Sequence, residues 1–327
     1  MKKNSKSNIS WIWILLIAVA GLSFSAILTI AVVLYIMAFR RKPLTLMNKV
    51  LNGASKEPTE QEKLHDKLHE ETDAWLKEQE TTELTIRSTD GLKLYGTMIW
   101  AGHDAKKTVI CIHGFHAEAT GDFAGIAQCY IRNGINVFLA DDRAHGRSEG
   151  ELLGFSWKDR RDIIEWAELL INILGENNDL YLHGVSMGAG AVMMASGEPD
   201  LPPQVKGIIE DCGFTSVTGE FLHVFPVRAR YIRKPVVFIA SVINRIFNGY
   251  WLQSASALKQ IERNSRPYLC IHGGDDNFVP TEMVYRIYNN IGMPKDLLVV
   301  PGAQHAKSFT MAPKAYEEKI ISFVNKY

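Results

Sequence analysis

The stretch "DLYLHGVSMGAG", residues 179–190, runs from apolar residues into three glycines with one serine among them. Ser186 is either a nucleophile on a sharp strand-to-helix turn, part of a phosphate cradle, or a small residue in a plain connection. The letters argue against a phosphate cradle. A Walker loop needs Gly-Lys-Ser/Thr, and no lysine lies between 181 and 200. The dinucleotide pattern needs a third glycine at 193, where Met193 stands. Gly184-Val-Ser186-Met-Gly188 does fit G-x-S-x-G. That pentapeptide is short enough to occur by chance, so its context decides. An elbow needs a strand before the serine and a helix after it, and "DLYLH" and "MGAGAVMMAS" supply both.

Working outward, apolar runs alternate with helical patterns from Glu83 onward. "ELTIRS" and "LKLYGTMIW", joined by Asp90-Gly91, read as a hairpin. "TVICIH", "INVFLA", "DLYLHG", "KGIIED", "PYLCIH" and "DLLVVP" read as strands buried on both faces. In "SWKDRRDIIEWAELLINIL", Ser156 and Asp159 have capping-box spacing, and Ile163, Trp166, Ala167, Leu170 and Leu174 share one face. Eight strands alternating with helices predict an α/β fold with a mostly parallel sheet covered on both sides. More than 50 residues separate "KGIIED" from "PYLCIH". That is too long for a structureless loop and reads as a helical lid insertion over about 217–254.

A serine hydroxyl needs a base to take its proton, and the base needs an orienting acid. On an elbow fold both follow the serine in the chain, in the order Ser, acid, His. "PYLCIHGGDDNFVP" ends one strand with two aspartates, and "DLLVVPGAQHAKSF" ends the next with His305. The oxyanion hole requires two backbone N–H groups. Met187, directly after the serine, offers one, and Phe115, in the loop after "TVICIH", offers the other. His113 and His116 read as residues shaping that loop, since no third metal ligand is spaced to join them. No metal or other cofactor is expected.

The N-terminus is of another kind. Trp11 to Phe39 carries no charge over 29 residues, more than the roughly 20 that span a bilayer. "AVA" at 18–20 resembles a processing site, but the apolar run continues for 19 residues past it, beyond the roughly 7–15 residues of a signal-peptide core. The expected organisation is a basic tail over 1–10, an uncleaved transmembrane anchor over 11–39, a connector and stalk helix over 40–82, and the catalytic domain over 83–327. In the stalk, Thr59 and Glu62 have capping-box spacing, and Leu64, Leu68 and Trp75 could share a face. Basic residues flank the anchor on both sides, so charge leaves the orientation nearly undecided. The long C-terminal part can translocate whatever its charge, which points to an extracytoplasmic domain on a single-pass membrane protein.

Lys plus Arg and Asp plus Glu both number 36, so no net field favours nucleic acid. Cys111, Cys129, Cys212 and Cys270 have neither metal-type nor C-x-x-C spacing and read as unpaired thiols. No obligate protein partner is indicated.

Residues 83 to 327 resemble the α/β-hydrolase superfamily. The resemblance rests on "HGF" at 113–115, "DDRAHGRSEG" at 141–150, the serine elbow, "HGGDDNFVP" at 272–280 and "GAQHA" at 302–306. Ala144 stands where the family has glycine, a departure that touches a turn. "SEGELLGFSWKDRRDIIEW" and "EDCGFTSV" are similar to a subgroup of bacterial membrane-anchored or secreted hydrolases, described as esterase-like or related to serine aminopeptidases. The resemblance implies Ser186 as nucleophile, His305 as base and then acid, and Asp276, with Asp275 as its neighbour, as the orienting partner.

The expected activity is ester hydrolysis through an acyl-enzyme on a small-molecule ester or acyl substrate, with the bilayer as the only other partner. The apolar insertion ("FLHVFPV", "PVVFIASVINRIF") suits an acyl or aromatic group. An aminopeptidase would need an acidic residue in the lid, and residues 221–261 contain none, while Arg228, Arg230, Arg233 and Lys234 make it basic. A non-catalytic binding module on the same fold is the third reading. Against it, no triad or oxyanion position is missing.

Overall fold

A computed structural model of the chain describes residues 5–42, 57–225 and 229–327. Lys2 and Lys3 of the basic tail, residues 43–56 of the connector, and Pro226, Val227 and Arg228 of the insertion lie outside the described residues. The elements follow in this order: α1 (Ser5–Phe39), α2 (Glu60–Leu76), β1 (Thr81–Arg87), β2 (Lys93–Ile99), β3 (Lys107–Ile112), α3 (Ala119–Asp122), α4 (Ile126–Arg132), β4 (Asn136–Asp141), α5 (Asp159–Leu174), β5 (Asp179–Val185), α6 (Met187–Ala195), β6 (Val205–Asp211), α7 (Val217–Val224), α8 (Arg233–Phe247), α9 (Ala257–Ile261), β7 (Tyr268–Gly273), α10 (Glu282–Asn290), β8 (Lys295–Val300), α11 (Ser308–Met311) and α12 (Pro313–Lys326).

All eight apolar runs are strands of one sheet, in the order β1-β2-β4-β3-β5-β6-β7-β8. β2 pairs antiparallel with β1 and β4, and every other pairing is parallel. The chain winds one way from β3 to β4 and the other way from β5 to β8. The crevice at the carboxyl ends of β3 and β5 is therefore the topological switch point, where such sheets bind ligands. β3, β5 and β7 are buried over almost their whole length because helices cover both their faces, whereas β1 and β8 form the half-exposed edges.

Behind the sheet, α5 lays Ile163, Trp166, Ala167 and Leu170 into the core, and Trp166 meets Phe138 with ring centroids 4.7 Å apart. Its N-terminus differs from the sequence reading. The helix starts at Asp159 after Lys158, and Ser156 sits three residues outside it at φ +67°. The Ser156 hydroxyl donates instead to the Met187 carbonyl at 2.7 Å, at the start of α6. A tertiary acceptor has won over the local cap. Arg143 is buried and bonds both Asp162 of α5 and Asp90 of the β1–β2 hairpin, tying the hairpin to the layer behind it.

The capping box of α2 forms as the spacing predicted, with Glu62 N–H on the Thr59 hydroxyl and Thr59 N–H on the Glu62 carboxylate. The inward face differs. Leu64 is exposed, and the stripe that packs on the domain runs through Gln61, His65, Leu68, His69, Thr72 and Trp75. Polar contacts hold it: the Thr72 hydroxyl accepts the Gly125 N–H at 2.9 Å, and Gln61 bonds the backbone of Gly302 and Gln304.

Helix α1 has two parts. From Trp11 to Ile30 every side chain except that of Ile27 is exposed, whereas Ala31, Tyr35, Ala38 and Phe39 are buried against the domain. α8 packs alongside this second part. The chain leaving α1 is then fixed to the loop after β4: Leu153 N–H bonds Phe39 O, Arg41 N–H bonds Glu151 O, and the Arg41 guanidinium reaches the Gly146 and Ser148 carbonyls.

Candidate active site

The elbow begins with backbone geometry. Ser186 sits at φ +55°, ψ −112°, between β5 and α6. A non-glycine residue rarely adopts that conformation, and it costs of order 1–3 kcal/mol. The surrounding glycines make room for it. A Cβ on Gly184 would lie 2.2 Å from Gly188 O, and one on Gly188 would lie 2.0 Å from Ile112 O. Both obstacles are backbone and cannot turn aside. The Ser186 N–H is fixed to Asp211 O at 2.8 Å, so β6 holds the turn from its other side.

The Ser186 hydroxyl lies 2.8 Å from His305 Nε2, and His305 Nδ1 lies 2.7 Å from Asp276 Oδ2. With Nδ1–H donating to the carboxylate, Nε2 is the free acceptor facing the hydroxyl. The second Asp276 oxygen accepts the Phe278 and Val279 N–H groups, both at 2.9 Å. Burial alone would raise the Asp276 pKa, but hydrogen bonds from His272 and His305 outweigh it and hold the carboxyl well below the usual range. Asp275 is exposed; its backbone N–H bonds Ala303 O and its backbone carbonyl accepts the Asn277 side-chain amide.

Phe115 and Met187 meet at the same place, since both line a cavity with Ser186. Among the described residues neither backbone N–H has a hydrogen-bond acceptor, as expected for the first residue of a helix in the case of Met187. The Phe115 loop is braced on either side: Asp122 accepts the Gly114 N–H at 2.6 Å, and His145 accepts the His116 N–H at 3.1 Å. His113 accepts the Asp142 N–H at Nε2 and contacts Gly114 O through Nδ1, a bracing role as the sequence reading expected.

Two cavities meet at Ser186. One, of about 280 Å³, is almost wholly apolar and is walled by Phe115, Phe155, Phe214, Phe221 and Val279, and by Leu34, Met37 and Ala38 of α1. The other, of about 330 Å³, lies by Asp122, Phe278 and His305. The site thus has separate room for the two sides of a scissile bond.

Three features of this site escaped the sequence reading. His272, at the end of β7, bonds Val279 O at 2.9 Å and approaches Asp276 Oδ2 at 3.4 Å. Burial would lower its pKa, but the Asp276 hydrogen bond and the Glu210 charge raise it. Glu220 lines the apolar cavity, and among the described residues neither of its buried carboxylate oxygens has a hydrogen-bond partner. Burial, reinforced by the Asp276 charge, raises its pKa to about 8, so it is mostly a neutral acid at pH 7. It stands one position before the 221–261 window that was read as lacking an acid. The third feature is the α1 wall, which no local pattern could announce.

One atom each from Cys212, Asp276 and His305 falls within 4.8 Å of the others. Complete burial raises the Cys212 thiol well above its usual pKa, so it presents a neutral S–H, while the other two are bonded to each other. Such a set suits proton transfer and not a thiolate metal cage.

A family model described as "Serine aminopeptidase, S33" matches residues 103–225, which takes in Ser186 and stops before Asp276 and His305. The chain is 26% identical over 250 residues to the uncharacterized protein YqkD of Bacillus subtilis, a match covering 76% of this chain and 81% of that protein. Among solved structures it is similar to the Pyrococcus furiosus esterase Pf2001, with a TM-score of 0.59 and 21% identity over 76% of this chain and 91% of that one. Est1E from Butyrivibrio proteoclasticus gives 0.57 and 16%, covering 75% and 99%. A mostly parallel eight-stranded sheet with a strained serine at its switch point agrees with these likenesses, and the chain has the α/β-hydrolase fold.

Proposed function

We propose that the protein is a membrane-anchored serine hydrolase that cleaves carboxylic esters through an acyl-enzyme on Ser186. The hydrogen-bonded chain from Ser186 through His305 to Asp276, opening on an apolar cavity, carries this reading. His305 Nε2 takes the hydroxyl proton as Oγ attacks the ester carbonyl, and the Phe115 and Met187 amides receive the developing oxyanion. Collapse breaks the bond to the alcohol oxygen, which takes the proton from His305 and leaves. A water then gives its proton to His305 and attacks the acyl carbon. The acid departs, and the proton returns to Ser186. The apolar cavity suits the acyl group and the Asp122 side suits the alcohol.

Anchoring rests on Trp11–Phe39, which is long and apolar enough to cross a membrane. The far side of the bilayer is the proposed location of the domain, and protease accessibility on intact cells tests it. Active-site labelling with an alkyl fluorophosphonate tests the chemistry: label must appear on the full chain and vanish in Ser186→Ala. Label that survives this substitution would sink the assignment.

Glu220 favours a second reading, an aminopeptidase in which a substrate ammonium ionises that carboxyl and pairs with it. The description of the matching family points the same way. Turnover of aminoacyl amides that is lost in Glu220→Gln, with no turnover of simple esters, would establish it over the first.

A further inference from the structure

We propose that the substrate is an acyl lipid that remains in the bilayer and reaches Ser186 along the side of α1, the membrane helix itself forming a wall of the acyl-binding cavity. This deepens the ester-hydrolase reading and rests on it. The exposed part of α1, Trp11 to Ile30, is twenty residues, or about 30 Å of helix, which matches the hydrocarbon thickness of a bilayer. The next residues do not lead away on a tether. Ala31, Tyr35, Ala38 and Phe39 are buried in the domain, and Leu34, Met37 and Ala38 line the cavity that opens on Ser186. Leu34 lies four residues beyond Ile30 and Ala38 eight, so the cavity wall runs from about 6 Å to about 12 Å beyond the end of the exposed part.

Aromatic contacts join this stretch of α1 to the wall of the cavity. Tyr35 stacks on Phe39 at 4.9 Å, Phe39 meets Phe155 at 5.2 Å and Phe221 at 5.8 Å, and Phe155 meets Phe115 at 5.8 Å. Apart from Ser186 and Glu220, every side chain lining the cavity between α1 and the proposed oxyanion loop is apolar. The outer face of the insertion fits the same neighbour. Phe238, Ile246 and Phe247 of α8 are exposed, as is Tyr231, and Phe247 lies 6.4 Å from Tyr35 on α1. Exposed large apolar side chains continuous with a membrane-spanning helix suit lipid. Lys234 and Arg245 are exposed on α8, and Arg40 and Arg230 are exposed just beyond α1 and just before α8; these cations suit the phosphate of lipid headgroups.

The test uses the full chain in phosphatidylcholine vesicles, with a fluorogenic long-chain acyl ester dissolved in the bilayer and the matching acetyl ester in water. The rate on the long-chain ester should follow its mole fraction in the vesicle and not its total concentration. Met37→Trp, or Ala38→Phe should the first fold poorly, should lower the ratio of long-chain to acetyl turnover at least tenfold. Fluorophosphonate labelling of Ser186 confirms that each variant is folded. A ratio unchanged within twofold, or a rate that follows aqueous concentration, overturns the lipid route while leaving ester hydrolysis standing. No acetyl turnover and no labelling of the wild-type chain would overturn both.

Discussion

Leu153 donates its backbone N–H to the carbonyl of Phe39 at 2.8 Å, joining the last residue of the apolar helix to the loop that places Phe155 beneath Ser186. The Phe39 ring is fully buried there. Phe39→Ala should destabilise the domain by about 3–5 kcal/mol, from the buried ring lost and the cavity left. Leu22→Ala, in the exposed part of the same helix, should change it by less than about 0.5 kcal/mol. Denaturant unfolding in detergent micelles, followed by tryptophan fluorescence, separates the two.

Asp276→Asn should lower kcat by about 10⁴, because the amide no longer fixes the His305 tautomer. His272→Gln should cost much less, about tenfold in kcat. His272 helps hold Asp276 ionised, so without it the carboxyl takes up its proton at a higher pH, which NMR titration of the carboxyl checks. A purely structural role for His272 would lower the yield of folded protein and leave the Asp276 titration in place.

Glu220 sets the alkaline side. Its folded pKa of about 8 lies above the ordinary carboxyl value, so the folded state holds a proton that the unfolded chain has lost. Stability contributed by that proton is full below about pH 4.5 and declines as pH rises towards 8. Ionisation also puts a charge into the acyl cavity, so activity on apolar esters should fall above pH 8. Glu220→Gln should flatten the alkaline fall and raise Tm at pH 8 relative to wild type. Both are read from a pH–rate profile and thermal scans.

Two small residues at tight turns should respond in opposite ways. Ala144 sits at φ +61°, in the left-handed region that favours glycine. Ala144→Gly should stay within about 1 kcal/mol of wild type, since relief of the left-handed strain offsets a lost buried methyl and a freer unfolded chain. Gly188→Ala should cost more than about 3 kcal/mol or prevent folding, because its Cβ would lie 2.0 Å from Ile112 O. Chemical denaturation of both variants checks the contrast.

The strands were legible because doubly covered β3, β5 and β7 leave uninterrupted apolar runs, and the hairpin because Asp90-Gly91 marks its turn. The three residues of the hydrogen-bonded chain were legible because each follows such a run. Less visible were features that depend on partners distant in sequence. Ser156 carries a capping-box spacing, yet its hydroxyl goes to Met187 O. The inward face of α2 is chosen by Thr72 and Gln61, which bond backbone groups on distant loops, and not by Leu64. Glu220 belongs to the site only because α7 brings it to the cavity that Ser186 lines. His272 looks like one more strand residue until Asp276 turns towards it.

The fixed end of α1 has a practical consequence. With Phe39 and Arg41 joined to Leu153 and Glu151 by backbone hydrogen bonds, the proposed anchor would set both the height of Ser186 above the bilayer and the direction its cavity faces. A chain trimmed to begin at Glu57 would keep Ser186, His305 and Asp276 but lose Leu34, Met37 and Ala38 from the cavity. It would also leave Phe155 and Phe221 facing water. Substrate preferences measured on such a trimmed chain would describe a differently shaped enzyme, with a wider opening and a greasy scar where the helix had been.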